Sequence, residues 1–218
     1  MVHTLEADSI FLEFENRRIL TDVYLKCETG KITGLLGRNG QGKTCLMNII
    51  HGTLRGTSQS IQFDGTHIFQ AFKRPDLLTY LPQFNFIPKN LSIRRIFDDF
   101  ETVFADFKQY FPNFEKYEKT KIKDLSGGER RLIEVYVLIK SNALFTMLDE
   151  PFSHIMPIHI EAIKEILSAE KRKKGFLITD HYFQHVIDIC EDIYVLKDGK
   201  THRTKTIDDI EALGYAHF

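Results

Sequence analysis

The chain has 218 residues, with 29 Lys and Arg against 30 Asp and Glu, and 43% of it is hydrophobic. That length supports one good core, or one core with a small satellite, and a formal charge of −1 argues against a dedicated nucleic-acid binder. No stretch approaches the ~20 apolar residues that span a bilayer, and Cys27, Cys45 and Cys190, without metal-ligand spacing or a leader segment, fit a reducing cytoplasm.

In chain order, Ser9 to Leu36 reads as β-rich, and Lys31 to Leu36 is a short strand. It runs into Gly37-Arg38-Asn39-Gly40-Gln41-Gly42-Lys43-Thr44, which has the spacing G-x-x-x-x-G-K-[ST]. A glycine-rich turn between strand and helix aims successive backbone N–H groups at an anion, and the helix N-terminus adds partial positive charge. The spacing therefore predicts a phosphate-binding loop formed by Gly37, Asn39, Gly40, Gly42, Lys43, Thr44 and Cys45. Lys43 reaches the β- and γ-phosphates, and the Thr44 hydroxyl ligates magnesium. The helix Thr44 to His51 is closed by Gly52. Its first turn places Cys45 where a thiol can be acidified, although packing is the more ordinary use of a cysteine there.

A strand is expected near Ser60 to Phe63. Phe84, Phe86, Phe97, Phe100, Phe104, Phe107, Phe111 and Phe114 then crowd a segment expected to be mostly helical. Phenylalanine at helical spacing is ordinarily core, but an excess this large predicts an apolar docking surface with Phe84 and Phe86 as exposed anchors. Leu125-Ser126-Gly127-Gly128-Glu129 follows. Ser126 and Glu129 form a capping box, and Leu132, Val135, Tyr136 and Ile139 form the apolar stripe of the helix it starts. A capped helix alone does not call for two glycines, each costing ~1 kcal/mol relative to alanine. Bare N–H groups suit a second phosphate contact.

The apolar run Ala143 to Leu148 delivers Asp149-Glu150-Pro151, two carboxylates at a strand end, as a magnesium-dependent hydrolase requires. A helix over Ile158 to Glu170 leads to Lys171-Arg172-Lys173-Lys174, expected to be a solvated helix end. Gly175 to Ile178 is a strand ending in Thr179-Asp180-His181. Asp198-Gly199 between Ile193–Leu196 and Thr201–Lys205 signals a hairpin. Ile207 to Leu213 reads as a last helix with no room beyond it for a regulatory domain, so a minimal unit is expected.

The phosphate loop and LSGGE, followed by Leu148-Asp149-Glu150-Pro151 and Thr179-Asp180-His181 in that order, make nearly the whole chain resemble the ATP-binding cassette (ABC) ATPases. The resemblance implies an α/β fold. A P-loop core with an antiparallel β portion, about 1–83 and 125–218, holds an inserted small helical subdomain of about 84–124. It also implies ATP and Mg2+ as cofactors, with ATP bound between two copies. Ser126, Gly127 and Gly128 meet the γ-phosphate held by the opposite subunit. Asp149 holds magnesium through water, and Glu150 polarises the attacking water. Gln83, in Leu81-Pro82-Gln83, senses the γ-phosphate and magnesium, and His181 contacts the γ-phosphate. Phe14 falls where the family places an aromatic on adenine, with strand core as its other reading. The Thr-Asp-His form is similar to that of lipopolysaccharide-transport and some amino-acid-transport cassettes.

One departure stands out. Where the family usually continues Ser-Ala-Leu-Asp after the Glu-Pro pair, this chain reads Ser153-His154-Ile155-Met156, so the aspartate that helps couple two ATP sites is replaced. The partners implied are separate membrane-spanning transporter subunits and a second cassette in a homodimer, with no nucleic acid. The implied location is cytoplasmic, peripheral on the inner face of the cell membrane. The task is powering movement of a solute or lipid. A soluble non-transport ABC ATPase and a low-turnover nucleotide-gated binding module are the alternatives. The first lacks its usual tandem cassette or long coiled-coil insertion here, and Glu150 and His181 argue against the second.

Overall fold

The computed structural model describes residues 1–15 and 17–215. In chain order the first elements are β1 (Thr4–Phe14), β2 (Arg17–Glu28), β3 (Ile32–Leu36), α1 (Lys43–His51), β4 (Ser58–Phe63), β5 (Thr66–His67) and β6 (Leu78–Leu81). Then come α2 (Ile93–Asp99), α3 (Phe104–Tyr110), α4 (Gly127–Lys140), β7 (Phe145–Asp149) and α5 (Pro157–Glu170). The chain continues through β8 (Gly175–Thr179), α6 (Phe183–Ile187), β9 (Asp192–Lys197), β10 (Lys200–Thr204) and α7 (Ile207–Ala212).

Two sheets form. One is antiparallel, in the order β2-β1-β4-β5; the other has the order β10-β9-β3-β8-β7-β6 and is parallel except for the β9–β10 hairpin. Asp198 and Gly199 turn that hairpin with positive φ at both positions, as the sequence signal requires. β1 begins at Thr4, ahead of the expected Ser9, because Leu5 and Ala7 already alternate into the core.

Strand periodicity sorts the second sheet's side chains between two cores. Leu35, Met147, Leu177 and Leu196 face α1 and the antiparallel sheet, whereas Leu36, Leu148, Ile178 and Val195 face α4, α5 and the 84–124 segment. α1 buries Leu46, Met47, Ile49 and Ile50, each contributing about 1.5–3 kcal/mol, and so fixes the loop that precedes it. α4 is buried continuously from Arg130 to Ile139, because it lies between the sheet and the segment before it.

That segment is less helical than expected. α2 and α3 have seven residues each, and Pro112 ends the second by holding Phe111 out of the α region, at φ −130. Phe97, Phe107, Phe111 and Phe114 are buried, and the Phe97 and Phe107 rings lie 5.8 and 4.8 Å from that of Tyr136 on α4. The expected apolar surplus is thus mostly internal, since α4 supplies the core that the segment lacks alone. Phe84 is 71% exposed, but Phe86 is half-buried, edge-on to Phe100.

The basic run also departs from expectation. Lys174 is only 3% exposed, because it leads directly into the interior strand β8. Its ammonium donates to the Ser141 carbonyl, and to Ser141 Oγ and Thr146 Oγ1 at 3.2 Å each. Burial among these neutral oxygens lowers its pKa to about 7.

Candidate active site

The carboxyl ends of β6, β7 and β8 lie side by side next to the end of β3, the position where open α/β sheets place ligands. Gln83 follows β6, Asp149 and Glu150 end β7, Asp180 and His181 follow β8, and residues 37–42 follow β3. At Gly42, φ is 100 and a Cβ would meet Ile19 Cγ2 at 2.8 Å, so glycine is required for the loop to enter α1 against β2. No side chain caps α1, which leaves its first amides free for an anion. Lys43 Nζ donates to the Gly37 carbonyl at 2.6 Å and to that of Arg38 at 3.3 Å. Burial lowers the Lys43 pKa, while Asp149, Glu150 and Asp180 oppose that shift.

A cleft of about 420 Å³ is lined by Phe14, Ile19, Asn39, Gly40, Gly42, Lys43, Thr44, Cys45, Gln83 and Glu150. Gly37 lies just behind Lys43, as its first acceptor. Phe14, at the end of β1, is 47% exposed, so its ring faces the cleft mouth and not the strand core. Cys45 is half-buried and burial raises its pKa, which removes the acidified thiol and leaves the packing role.

The polar centre of the site is Gln83. Its amide donates to Thr44 Oγ1 at 3.2 Å, to Glu150 Oε1 at 3.1 Å and to Asp149 Oδ1 at 3.4 Å. Asp149 is fully buried, and burial raises its pKa against the hydrogen bonds from Thr44, Tyr80 and Gln83. Glu150 holds a left-handed backbone at φ 54 while its amide donates to the Thr179 carbonyl at 2.7 Å. Such a conformation in a non-glycine residue costs of order 1–3 kcal/mol and aims the carboxylate back over the site. Ser153 Oγ donates to Glu150 Oε2 at 3.3 Å and contacts His181 Nδ1 at 3.3 Å, and His181 lies 3.6 Å from the same Glu150 oxygen.

Ser126, Gly127 and Gly128 are not brought to this cleft within one chain. The capping box forms as expected, Ser126 N donating to Glu129 Oε2 at 2.9 Å and Glu129 N to Ser126 Oγ at 3.3 Å. A Cβ at Gly128 would meet the His154 carbonyl at 2.5 Å, so that glycine serves close backbone packing. At Gly127, which is exposed, a Cβ would meet nothing within 4 Å.

Four further residues hold the site together. Arg131 on α4 donates to the carbonyls of Pro82 (2.7 Å), Asp149 (2.7 Å) and Glu150 (3.1 Å), tying the Gln83 segment to the end of β7. Buried Asp180 accepts the Phe152 and Tyr182 amides at 2.9 Å each, and Tyr80 donates to Asp149 at 3.3 Å. Ser153 is the fourth. Arginine and glutamate at 131 and 134 inside an apolar helical stripe were the available signal for the first, and Asp180 and Ser153 lie in segments singled out above for other residues; nothing local marks Tyr80.

The sequence profile of the ABC transporter family matches residues 20–153, well over half the chain. The chain belongs to the ABC transporter family. It is 30% identical to the lipopolysaccharide export system ATP-binding protein LptB of Haemophilus influenzae, over 94% of this chain and 92% of that protein. To the protein of the same name from Escherichia coli K12 it is 32% identical, over 93% and 91% respectively. Among solved structures, an ATP-binding subunit of an ABC transporter superposes with a TM-score of 0.80 at 19% identity, covering 97% of this chain and 93% of that one. A bacterial Atm1-family ABC exporter with ATP bound gives 0.84 at 17% identity over 97% of this chain and 40% of the exporter. These two likenesses establish the fold. The protein is accordingly an ABC ATP-binding and ATP-hydrolysing subunit. Such a subunit powers transport through separate membrane subunits. Among the described residues no helix is long and apolar enough to cross a membrane.

Proposed function

We propose that ATP occupies the 420 Å³ cleft with its adenine on Phe14, and that a head-to-tail pair of these subunits closes on it. The observation that carries this reading is the convergence of Thr44, Asp149 and Glu150 on one Gln83 amide beside an uncapped helix start. Lys43 exchanges its loop carbonyls for the β- and γ-phosphates. Magnesium neutralises phosphate charge when bound. The hydroxyl, amide and carboxylate oxygens of Thr44, Gln83 and Asp149 fit such a hard cation, which keeps several of its waters. Glu150 orients the attacking water, with its carboxylate steered by Gln83 and Ser153. His181 contacts the γ-phosphate from its place beside Glu150. Ser126, Gly127 and Gly128 complete the site of the opposite subunit, consistent with the open space at Gly127.

The core of about 1–83 and 125–218 and the segment of about 84–124 act as the two parts of the cassette, with exposed Phe84 in the groove that meets the membrane subunit. The cargo is a lipid or solute, a lipid being favoured by the named role of the two LptB relatives. The subunit works at the cytoplasmic face and needs no nucleic acid. Tagged Glu150→Gln protein, purified with ATP from detergent-solubilised membranes of its host, should bring down a polytopic membrane protein. Recovery of soluble partners alone would overturn the transport assignment of this site in favour of a non-transport ATPase.

A further inference from the structure

Asp149 is held by both of its carboxylate oxygens, and the two holds differ in kind. Oδ1 accepts the Gln83 amide at 3.4 Å, from an exposed side chain that also reaches Thr44 and Glu150. Oδ2 accepts the Tyr80 hydroxyl at 3.3 Å. Tyr80 lies inside β6, in parallel register with β7 and opposite Met147, two residues before Asp149. Side chains two apart share one face of a sheet, so the half-buried Tyr80 ring leans along the strand to reach the carboxylate.

The ring has a support of its own. His51, the last residue of α1, packs against it with centroids 5.1 Å apart, and His51 in turn lies 6.0 Å from the Phe72 ring. Buried Leu78 and Leu81 anchor the strand on either side of Tyr80. Because α1 begins with Lys43 and Thr44, Tyr80 is lodged between the far end of the phosphate-loop helix and the carboxylate that ends β7.

We propose that Tyr80 is a positioning residue for Asp149 and, through it, for magnesium. Its hydroxyl fixes Oδ2, so the carboxylate keeps its orientation and offers Oδ1 to the hydrated cation when Gln83 turns to the nucleotide. The inference rests on the reading of the cleft as a magnesium–ATP site. Tyr80 does not line that cleft, so it acts through Asp149. A carboxylate already locked in place loses less freedom on binding, which strengthens the metal site without a direct contact.

The test titrates magnesium against binding of a fluorescent, non-hydrolysable ATP analogue. Tyr80→Phe keeps the ring against His51 and removes only the hydroxyl. It should raise the magnesium concentration for half-saturation about 10-fold, as loss of a residue that orients a metal ligand does. Affinity for the analogue in EDTA, and Tm, should change little. An unmoved half-saturation point would overturn the proposal. So would an equal loss of affinity with and without magnesium alongside a fall in Tm, since the hydroxyl would then be structural. If Tyr80→Phe does not fold, His51→Leu withdraws the support of the ring and should move the half-saturation point the same way by a smaller factor; no movement would again overturn the proposal. If magnesium does not strengthen binding in the parent protein, the metal assignment of the cleft fails, and the proposal with it.

Discussion

Lys43, Asp149, Asp180 and Lys174 all carry ionisable groups where burial works against the charged form. Around the proposed nucleotide site the carboxylates Asp149 and Asp180 offset part of the burial of Lys43, whereas the neighbouring Glu150 carboxylate adds to the upward shift of both aspartates. Lys174 has only neutral oxygens around it, with Glu170 the nearest opposing charge and Lys173 and Lys140 adding repulsion. Its pKa of about 7, against an ordinary 10.5, has a definite sign. Between those values the unfolded chain holds a proton that the folded chain has released, so this group's contribution to stability rises with pH across that window. Below it, the burial penalty is fully present. Lys174→Met removes the titration. The parent should therefore gain stability on the variant by up to about 1.4 kcal/mol per pH unit above neutrality, read by denaturant unfolding at successive pH values. A constant difference between the two from neutral to alkaline pH would show that Lys174 does not titrate this way. Four consecutive bases read as solvent-facing in sequence; only the inward turn into β8 sorts the last from the other three.

The element that organises the rest is α4. It presents the capped LSGGE end to solvent, threads the core, and carries Arg131 to three carbonyls of the site. Buried Glu134 balances this helix. It lies 3.1 Å from Arg130 Nε and 3.9 Å from Arg131 Nη1, and it accepts the Ile87 amide at 3.3 Å. Removing one member of a buried ion group leaves uncompensated charge at a cost of about 3–5 kcal/mol. Glu134→Leu should accordingly lower Tm by roughly 6–20 °C in a chain of this size. A shift under about 2 °C would mean that the two arginines are satisfied without it. The strands other than β5 and β6, together with α1, α5, α7 and the hairpin, were legible because period, caps and turn residues agree locally. The 84–124 segment was less so. Its phenylalanines have the spacing of a core, but that the core is Tyr136 and its helix is a fact about residues far along the chain. The candidate site divides the same way. Contiguous motifs brought Lys43, Thr44, Asp149 and Glu150 to one place with Gln83. Arg131, Ser153, Tyr80 and Asp180 enter through side-chain directions that only the packed fold defines.

Across the whole molecule, two surfaces are proposed to meet in a pair of subunits: the cleft edge and the open Gly127 face. Met156 lies between these roles, at the start of α5, 54% exposed and unable to cap the helix as an aspartate could. Weak coupling between paired ATP sites is expected from it. Met156→Asp should raise the Hill coefficient for ATP in steady-state hydrolysis, and an unchanged coefficient would exclude that residue as the cause. Pairing itself is the central claim, and it is tested by the mass of Glu150→Gln protein in solution by light scattering, with and without ATP and magnesium. With ATP the mass should double from the 25.4 kDa of one chain, and adding Gly127→Arg should return it to that value. A Glu150→Gln protein that binds ATP and remains at 25.4 kDa would contradict the account.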